Sequence, residues 1–207
     1  MKLKQNDVVV FFGDSVTDTC HQVKQDYPYG SGYVNMVDSH INTNYCDLNV
    51  RVWNKGINGN RTKDLVARVK EDVLDLHPNM VFILIGVNDA WRSYDQNDPT
   101  SVEQFVKNYK TILDAIRAAD TTTQIVMMSP FIIPSVEWVL NFKDDLDEKT
   151  KVVIDLAKEY QIPLIPLHEL MPQYDQKLPG MVSFDGVHPS VVGHALIAQQ
   201  IIQYLLG

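Results

Sequence analysis

Four short segments carry side chains suited to acyl transfer. In Gly13-Asp14-Ser15, a serine follows directly on the apolar run Val8 to Phe12. A serine on a strand-to-helix turn has its hydroxyl lifted out of the sheet, among backbone N–H groups free to bind an anion. An ordinary helix N-cap occupies the same place. The segment Asn54-Lys55-Gly56-Ile57-Asn58-Gly59-Asn60-Arg61-Thr62 sets two glycines three apart. Such glycines let the backbone approach a ligand or take positive φ, and a plain turn capped by Thr62 fits equally. Gly86-Val87-Asn88-Asp89 presents Asn88, whose amide can donate towards a developing negative charge or serve as a polar turn residue. In Asp185-Gly186-Val187-His188-Pro189, an acid and an imidazole stand three apart. They can meet across a tight turn, where the carboxylate holds the ring in one tautomer. Pro189 biases His188 towards an extended backbone and can open a helix after it. Taken singly, such an Asp-His pair reads as a surface turn.

Other chemistries fit these segments less well. An aspartate-nucleophile phosphatase needs a second carboxylate two residues after Asp14, and that position is Val16. No Gly-Lys-Ser/Thr follows the glycine pair, so a phosphate loop is not supported. No Cys/His cluster or His-Glu-x-x-His pattern suggests a metal, and no cofactor is expected. Of the other histidines, His21, His40, His77, His168 and His194 are read as lacking an acid partner at the same spacing within such a block. His194 lies in an apolar helical stretch and reads as a satisfied core histidine. Asp14 is expected to brace the turn before Ser15.

These segments need a frame, and the pattern around them is that of an α/β domain with a parallel sheet. Strands are expected at Val8–Phe12, Leu48–Trp53, Met80–Ile85, Gln124–Met128 and Ile162–Leu167. Helical spacing of three and four links Leu65, Val69, Val73 and Leu76. It also links Val102, Phe105, Tyr109, Ile112 and Ile116, and again Leu146, Thr150, Val153, Ala157 and Tyr160. A last helix, from about Ser190 to Leu206, is apolar nearly all round and is expected to be substantially buried. No repeat or linker interrupts residues 1–207, which read as one domain. Parallel sheets bind ligands at the carboxyl ends of their strands, and all four segments fall at that edge.

Composition narrows the partners. Net charge is −8 over 207 residues. That gives no electrostatic footprint for nucleic acid and disfavours anionic lipid surfaces. Cys20 and Cys46 offer no disulfide framework and read as free thiols. The N-terminal apolar run is too short for a signal peptide, and no stretch approaches a bilayer span, so a cytoplasmic protein without a membrane anchor is expected.

In order, the four segments resemble the consensus blocks of the SGNH hydrolases, or GDSL esterases. The resemblance matches that family's namesake residues to Ser15, Gly59, Asn88 and His188, with Asp185 as the acid, across nearly the whole chain. It implies a flavodoxin-like three-layer α/β/α sandwich around a parallel sheet of about five strands. It also implies a Ser15–His188–Asp185 triad and an oxyanion hole of the Ser15 and Gly59 N–H groups and the Asn88 amide. No Gly-x-Ser-x-Gly elbow is present, which separates the chain from the common α/β-hydrolases. Asp14, Tyr29, Trp91, Arg92, Phe131 and Trp138 are expected around the substrate pocket. The run Gly86 to Arg92 is similar to that of carbohydrate acetylesterases in the family, which implies a short-chain, acetyl esterase acting on a small-molecule ester such as an acetylated oligosaccharide. A lysophospholipase or thioesterase with a long acyl groove is the alternative, and a non-catalytic sugar- or partner-binding module lies behind it. Many family members self-associate, so a homo-oligomer is compatible with the resemblance.

Overall fold

The computed structural model describes residues 2–21 and 28–207. Strand β1 (Val8–Gly13) is buried at every position, as an apolar run must be when helices cover both faces of a sheet. Alternation divides it between two cores. Val9 and Phe11 face one, whereas Val8, Val10 and Phe12 face the other. Strand β2 (Arg51–Gly56) alternates exposed and buried residues because it forms an edge. Strands β3 (Met80–Leu84), β4 (Gln124–Met128) and β5 (Leu164–Ile165) complete a sheet of order β2-β1-β3-β4-β5 with every pairing parallel.

Helices cover both faces. One face packs against α2 (Tyr33–Asn44), α7 (Leu167–Lys177) and α8 (Val191–Leu206), through Tyr33, Val37, Met171, Ile197 and Ile201. The opposite face packs against α3 (Thr62–Asp72), α5 (Val102–Ala119) and α6 (Lys143–Glu159), through Leu65, Phe105, Tyr109, Ile112 and Val153. The fold is therefore a three-layer α/β/α sandwich with the flavodoxin-like strand order. Phe11, Phe12 and Phe82 are fully buried at its centre, each contributing about 1.5–3 kcal/mol of burial. Two further helices, α1 (Ser15–Asp18) and α4 (Val87–Asp95), start at the carboxyl ends of β1 and β3.

Topology sets the site. The chain steps from β1 outward to β2 and returns to place β3 on β1's other side, so the order reverses there. Gly13 pairs with both Gly56 and Leu84, which levels three carboxyl ends at this switch point.

Several expected boundaries move. The second strand does not start at Leu48: Cys46–Leu48 is a 3₁₀ turn, Asn49 takes a left-handed φ of 49°, and β2 runs on through Asn54 and Lys55. Ladder pairing of β5 is limited to two residues, since Pro163 and Pro166 flank it and lack the N–H a strand needs. The helix through Leu65 stops at Asp72, and Leu74–Leu76 forms a separate 3₁₀ turn. The last helix buries one face, including Gly193, His194 and Ile201, rather than its whole circumference; Val191 is 72% exposed. Cys20 and Cys46 are free and exposed. Among the described residues no helix is long and apolar enough to cross a membrane.

Candidate active site

Ser15 is the first residue of α1, immediately beyond β1. Its Oγ lies 3.0 Å from His188 Nε2, and His188 Nδ1 lies 2.7 Å from Asp185 Oδ2. A nitrogen facing a carboxylate must donate, so the proton sits on Nδ1 and Nε2 is left to accept from the serine hydroxyl. The other oxygen of Asp185 accepts the backbone N–H groups of Val187 (2.9 Å) and His188 (2.7 Å). Partial burial pushes the Asp185 carboxyl up, but the His188 ring and these two N–H groups outweigh it and hold it below the usual range. Ser183 closes the loop, accepting from the Gly186 N–H at 2.9 Å and donating to the His188 carbonyl at 2.7 Å.

Tight packing aims the serine. A Cβ on Gly13 would fall 2.4 Å from both Leu84 O and Thr17 Oγ1, and one on Gly56 would fall 2.1 Å from the Asp18 nitrogen. Helix α1 can sit against β2 and β3 only because both positions lack a side chain. Asn54, buried, donates to the carbonyls of Thr17 (2.7 Å) and Tyr29 (2.8 Å) while its Oδ1 accepts from the Gly56 N–H. Asp14 accepts from the Val16 N–H at 3.0 Å, capping α1 as expected of a brace. Being 1% exposed, it borders only a buried void of about 10 Å³ that it shares with Val16 and Phe131, too small for a substrate, and burial pushes its carboxyl up to about 7 against the pull of the Val16 N–H and His188.

Gly59 is exposed beyond β2 with a φ of +77°, and nothing lies within 4 Å of where its Cβ would stand. Neither the Ser15 nor the Gly59 N–H donates to a protein acceptor among the described residues. Asn88 sits in the first turn of α4, so it is a helical residue and not part of an isolated polar turn. Its Nδ2 donates to the Asn60 carbonyl at 3.0 Å and its Oδ1 accepts from Arg92 Nη2 at 3.1 Å. The amide orientation is thereby set, with one N–H left over. Asp89 accepts from the Thr62 N–H (3.0 Å) and Oγ1 (2.6 Å), which ties α4 to α3; burial raises its carboxyl, opposed by these bonds. Thr62 is thus the first helical residue rather than the cap.

Arg68 joins the two halves. It donates to Gly13 O (2.8 Å), Asn60 Oδ1 (2.7 Å) and Lys55 O (2.9 Å), stapling the serine turn to the glycine loop. Arg68 lies outside the motifs, and Asn54, though it opens the second of them, carries no role in the sequence reading; only their positions near two conspicuous glycines could have marked them.

The residues expected around the pocket separate into different roles. Trp91 stands edge-on to His188, ring centres 6.3 Å apart, and packs on Trp138 at 5.0 Å. Trp138 donates its indole N–H to the Asp185 carbonyl at 2.7 Å, so it braces the acid's loop. Arg92 holds Asn88 and pairs with Asp95. Phe131 is 4% exposed in the main core, a correction to its expected place at the mouth. Tyr29 is not brought to Ser15: it lines a separate cavity of about 520 Å³ along β2 that includes none of the triad. Its neighbour Tyr27 lies outside the described residues. Phe184, unforeseen, precedes Asp185 and is 81% exposed.

The remaining histidines divide similarly. His194 is a satisfied core histidine, accepting from the Tyr33 N–H at 3.3 Å, and burial with the nearby His188 lowers it to about 4. His21 corrects the sequence reading, since Asp18 stands three residues before it and the two pair at 2.7 Å. No group of three or more His, Cys, Asp or Glu with the geometry to hold a metal occurs among the described residues.

The model of the GDSL-like lipase/acylhydrolase family matches residues 11–196. An acetylxylan esterase from Geobacillus stearothermophilus is 31% identical over 211 residues, covering 98% of this chain and 95% of that protein. The crystal structure of an acetylxylan esterase from the same organism superposes with a TM-score of 0.88 at 29% identity, covering 99% of this chain and 96% of that one. An α/β hydrolase enzyme from the metagenome of Lake Arreo, Spain, superposes with a TM-score of 0.87 at 26% identity, covering all of this chain and 99% of the other.

Proposed function

This chain belongs to the GDSL-like lipase/acylhydrolase family and is a carboxylic ester hydrolase, and on that premise we propose that it removes short acyl groups, acetyl above all, from soluble carbohydrate through an acyl-enzyme on Ser15. One observation carries the assignment: the Ser15–His188–Asp185 relay at 3.0 and 2.7 Å, in a single tautomer. Ser15 Oγ attacks the ester carbonyl as His188 Nε2 takes its proton. Collapse of the tetrahedral intermediate expels the alcohol, which receives that proton. Water, deprotonated by the same nitrogen, then attacks the acyl-enzyme, releasing acetate and restoring the serine hydroxyl. The developing oxyanion is met by the N–H groups of Ser15 and Gly59 and the spare N–H of Asn88.

The acetyl-carbohydrate reading draws on the acetylxylan esterase relatives and on the polar side chains of Asn58, Arg92 and Gln96 around Gly59, which suit hydroxyl groups better than an acyl chain. Ser15→Ala is expected to reduce turnover to near background, and full activity in that variant would remove the nucleophile assignment. An aryl ester series from acetate to decanoate tests chain length; a preference for decanoate favours a lysophospholipase or thioesterase instead. Failure of the wild-type protein to label with a fluorophosphonate at neutral pH favours a binding module.

A further inference from the structure

A shallow open cavity lies beside Gly59, one of the oxyanion donors; none of the triad lines it, and Arg92 links it to Asn88. It has a volume of about 520 Å³, within the roughly 300–1,000 Å³ typical of small-ligand sites, and Gly59 is part of its wall. The rest of the wall is polar: Asn58, Arg61, Lys63 and Asp64 from the β2–α3 connection, with Arg92 and Gln96 from α4 and its end. We infer that this cavity is the subsite for the sugar that carries the acetyl group, a neutral polyhydroxyl ligand held by hydrogen bonds; this rests on the acetyl-carbohydrate reading above.

Charge is the first reason for a neutral ligand. Arg61 pairs with Asp98, Arg92 pairs with Asp95, and Lys63 stands 3.8 Å from Asp98. Asp64 accepts the Arg61 N–H at 2.8 Å. Each cation of the wall, Arg61, Lys63 and Arg92, is thus already partnered by Asp98 or Asp95, and Asp64 adds a negative charge to the wall itself, which disfavours an anionic group. Chemistry is the second reason. The wall offers amides, a guanidinium edge and an ammonium, which match hydroxyl groups and would leave an acyl chain without apolar contact. Position is the third, because Gly59 belongs both to this wall and to the donors facing the carbonyl oxygen. A sugar seated here presents its ester to Ser15. Arg92 connects the two functions, since the guanidinium that lines the cavity also fixes Asn88 at 3.1 Å.

Asn58 and Gln96 are exposed, so a double variant Asn58→Ala/Gln96→Ala leaves the buried packing untouched. The measurement is kcat/KM on acetylated xylo-oligosaccharide divided by kcat/KM on 4-nitrophenyl acetate. Loss of two hydrogen-bonding side chains is expected to lower this ratio by about tenfold or more, chiefly through KM for the sugar ester. An unchanged ratio, with the wild-type protein deacetylating the oligosaccharide, overturns the subsite and leaves the acetyl-carbohydrate reading standing. A wild-type protein that cleaves 4-nitrophenyl acetate but no acetylated sugar overturns both.

Discussion

Asn88 is held at both ends of its amide, by Asn60 and by Arg92, so its remaining N–H is preorganised before any charge develops. Preorganised donors of this kind are worth about 2.7–4 kcal/mol in the transition state. Asn88→Ala is therefore expected to lower kcat by about 10²–10³-fold with KM changed far less, since the bond strengthens only as the carbonyl becomes an oxyanion. A proportional rise in KM at constant kcat would place Asn88 in ground-state binding instead. Asp185 acts through His188. Asp185→Asn retains the shape but offers its NH₂ or a weaker acceptor to Nδ1, and the tautomer is no longer enforced. Steady-state kinetics is expected to show kcat reduced by about 10⁴-fold. An effect below tenfold would mean that the backbone of the 183–189 loop orients the imidazole unaided.

The nucleophile helix is positioned by what two strands lack. Gly56 has no positive φ, so its glycine is required by proximity, with the Asp18 backbone nitrogen 2.1 Å from any added Cβ. A backbone atom cannot rotate away as a side-chain tip can. Gly56→Ala is therefore expected to shift α1 and cost about 1–3 kcal/mol of stability, read by chemical denaturation, together with a fall in kcat because Ser15 opens that helix. Wild-type values for both would show that α1 slides freely against β2. These contacts also define what the sequence could reveal. Ser15 and Asn88 were visible because each follows an apolar strand, the Asp185–His188 pair because Pro189 marks its turn, and Gly59 because it stands three residues from Gly56. β1, β3 and β4 were visible because uninterrupted apolar runs have few other uses. Not read from the sequence were α2, α4 and α7, although Val34, Val37 and Ile41, then Val87, Ala90, Trp91 and Tyr94, then Leu167, Leu170, Met171 and Tyr174 keep helical spacing; each run is short and lies among polar loop residues. Hidden from it were Asn54 and Arg68, polar residues whose partners lie far along the chain, at Thr17, Tyr29, Gly13 and Asn60. Phe131 was misplaced for the converse reason: an aromatic after a strand is equally suited to a mouth or a core.

Across the whole molecule, the carboxyl edge of the sheet gathers buried titratable groups from separate elements, and two of them oppose each other in pH. Asp14, below α1, is raised to about 7 from its ordinary 3.8 by burial. Between those values the folded state holds a proton that the unfolded chain has lost, so stability is full at low pH and declines as pH rises towards 7. His194, in α8, is lowered to about 4 from 6.5, by burial and then by His188. Between 4 and 6.5 the unfolded chain holds the extra proton, so its contribution is full above 6.5 and is lost as pH falls through 4. Each shift corresponds to roughly 3–4 kcal/mol at about 1.36 kcal/mol per unit, with opposite signs over the shared window. The two slopes nearly cancel between pH 4 and 6.5, which leaves the wild-type protein with little pH dependence from this pair. Single variants expose each half. Asp14→Asn retains a capping side chain, and relative to wild type its melting temperature is expected to fall as pH drops from 6.5 to 4. His194→Asn is expected to do the reverse, gaining on wild type over the same interval. Difference curves that are flat for both variants would mean that neither group changes its proton affinity on folding.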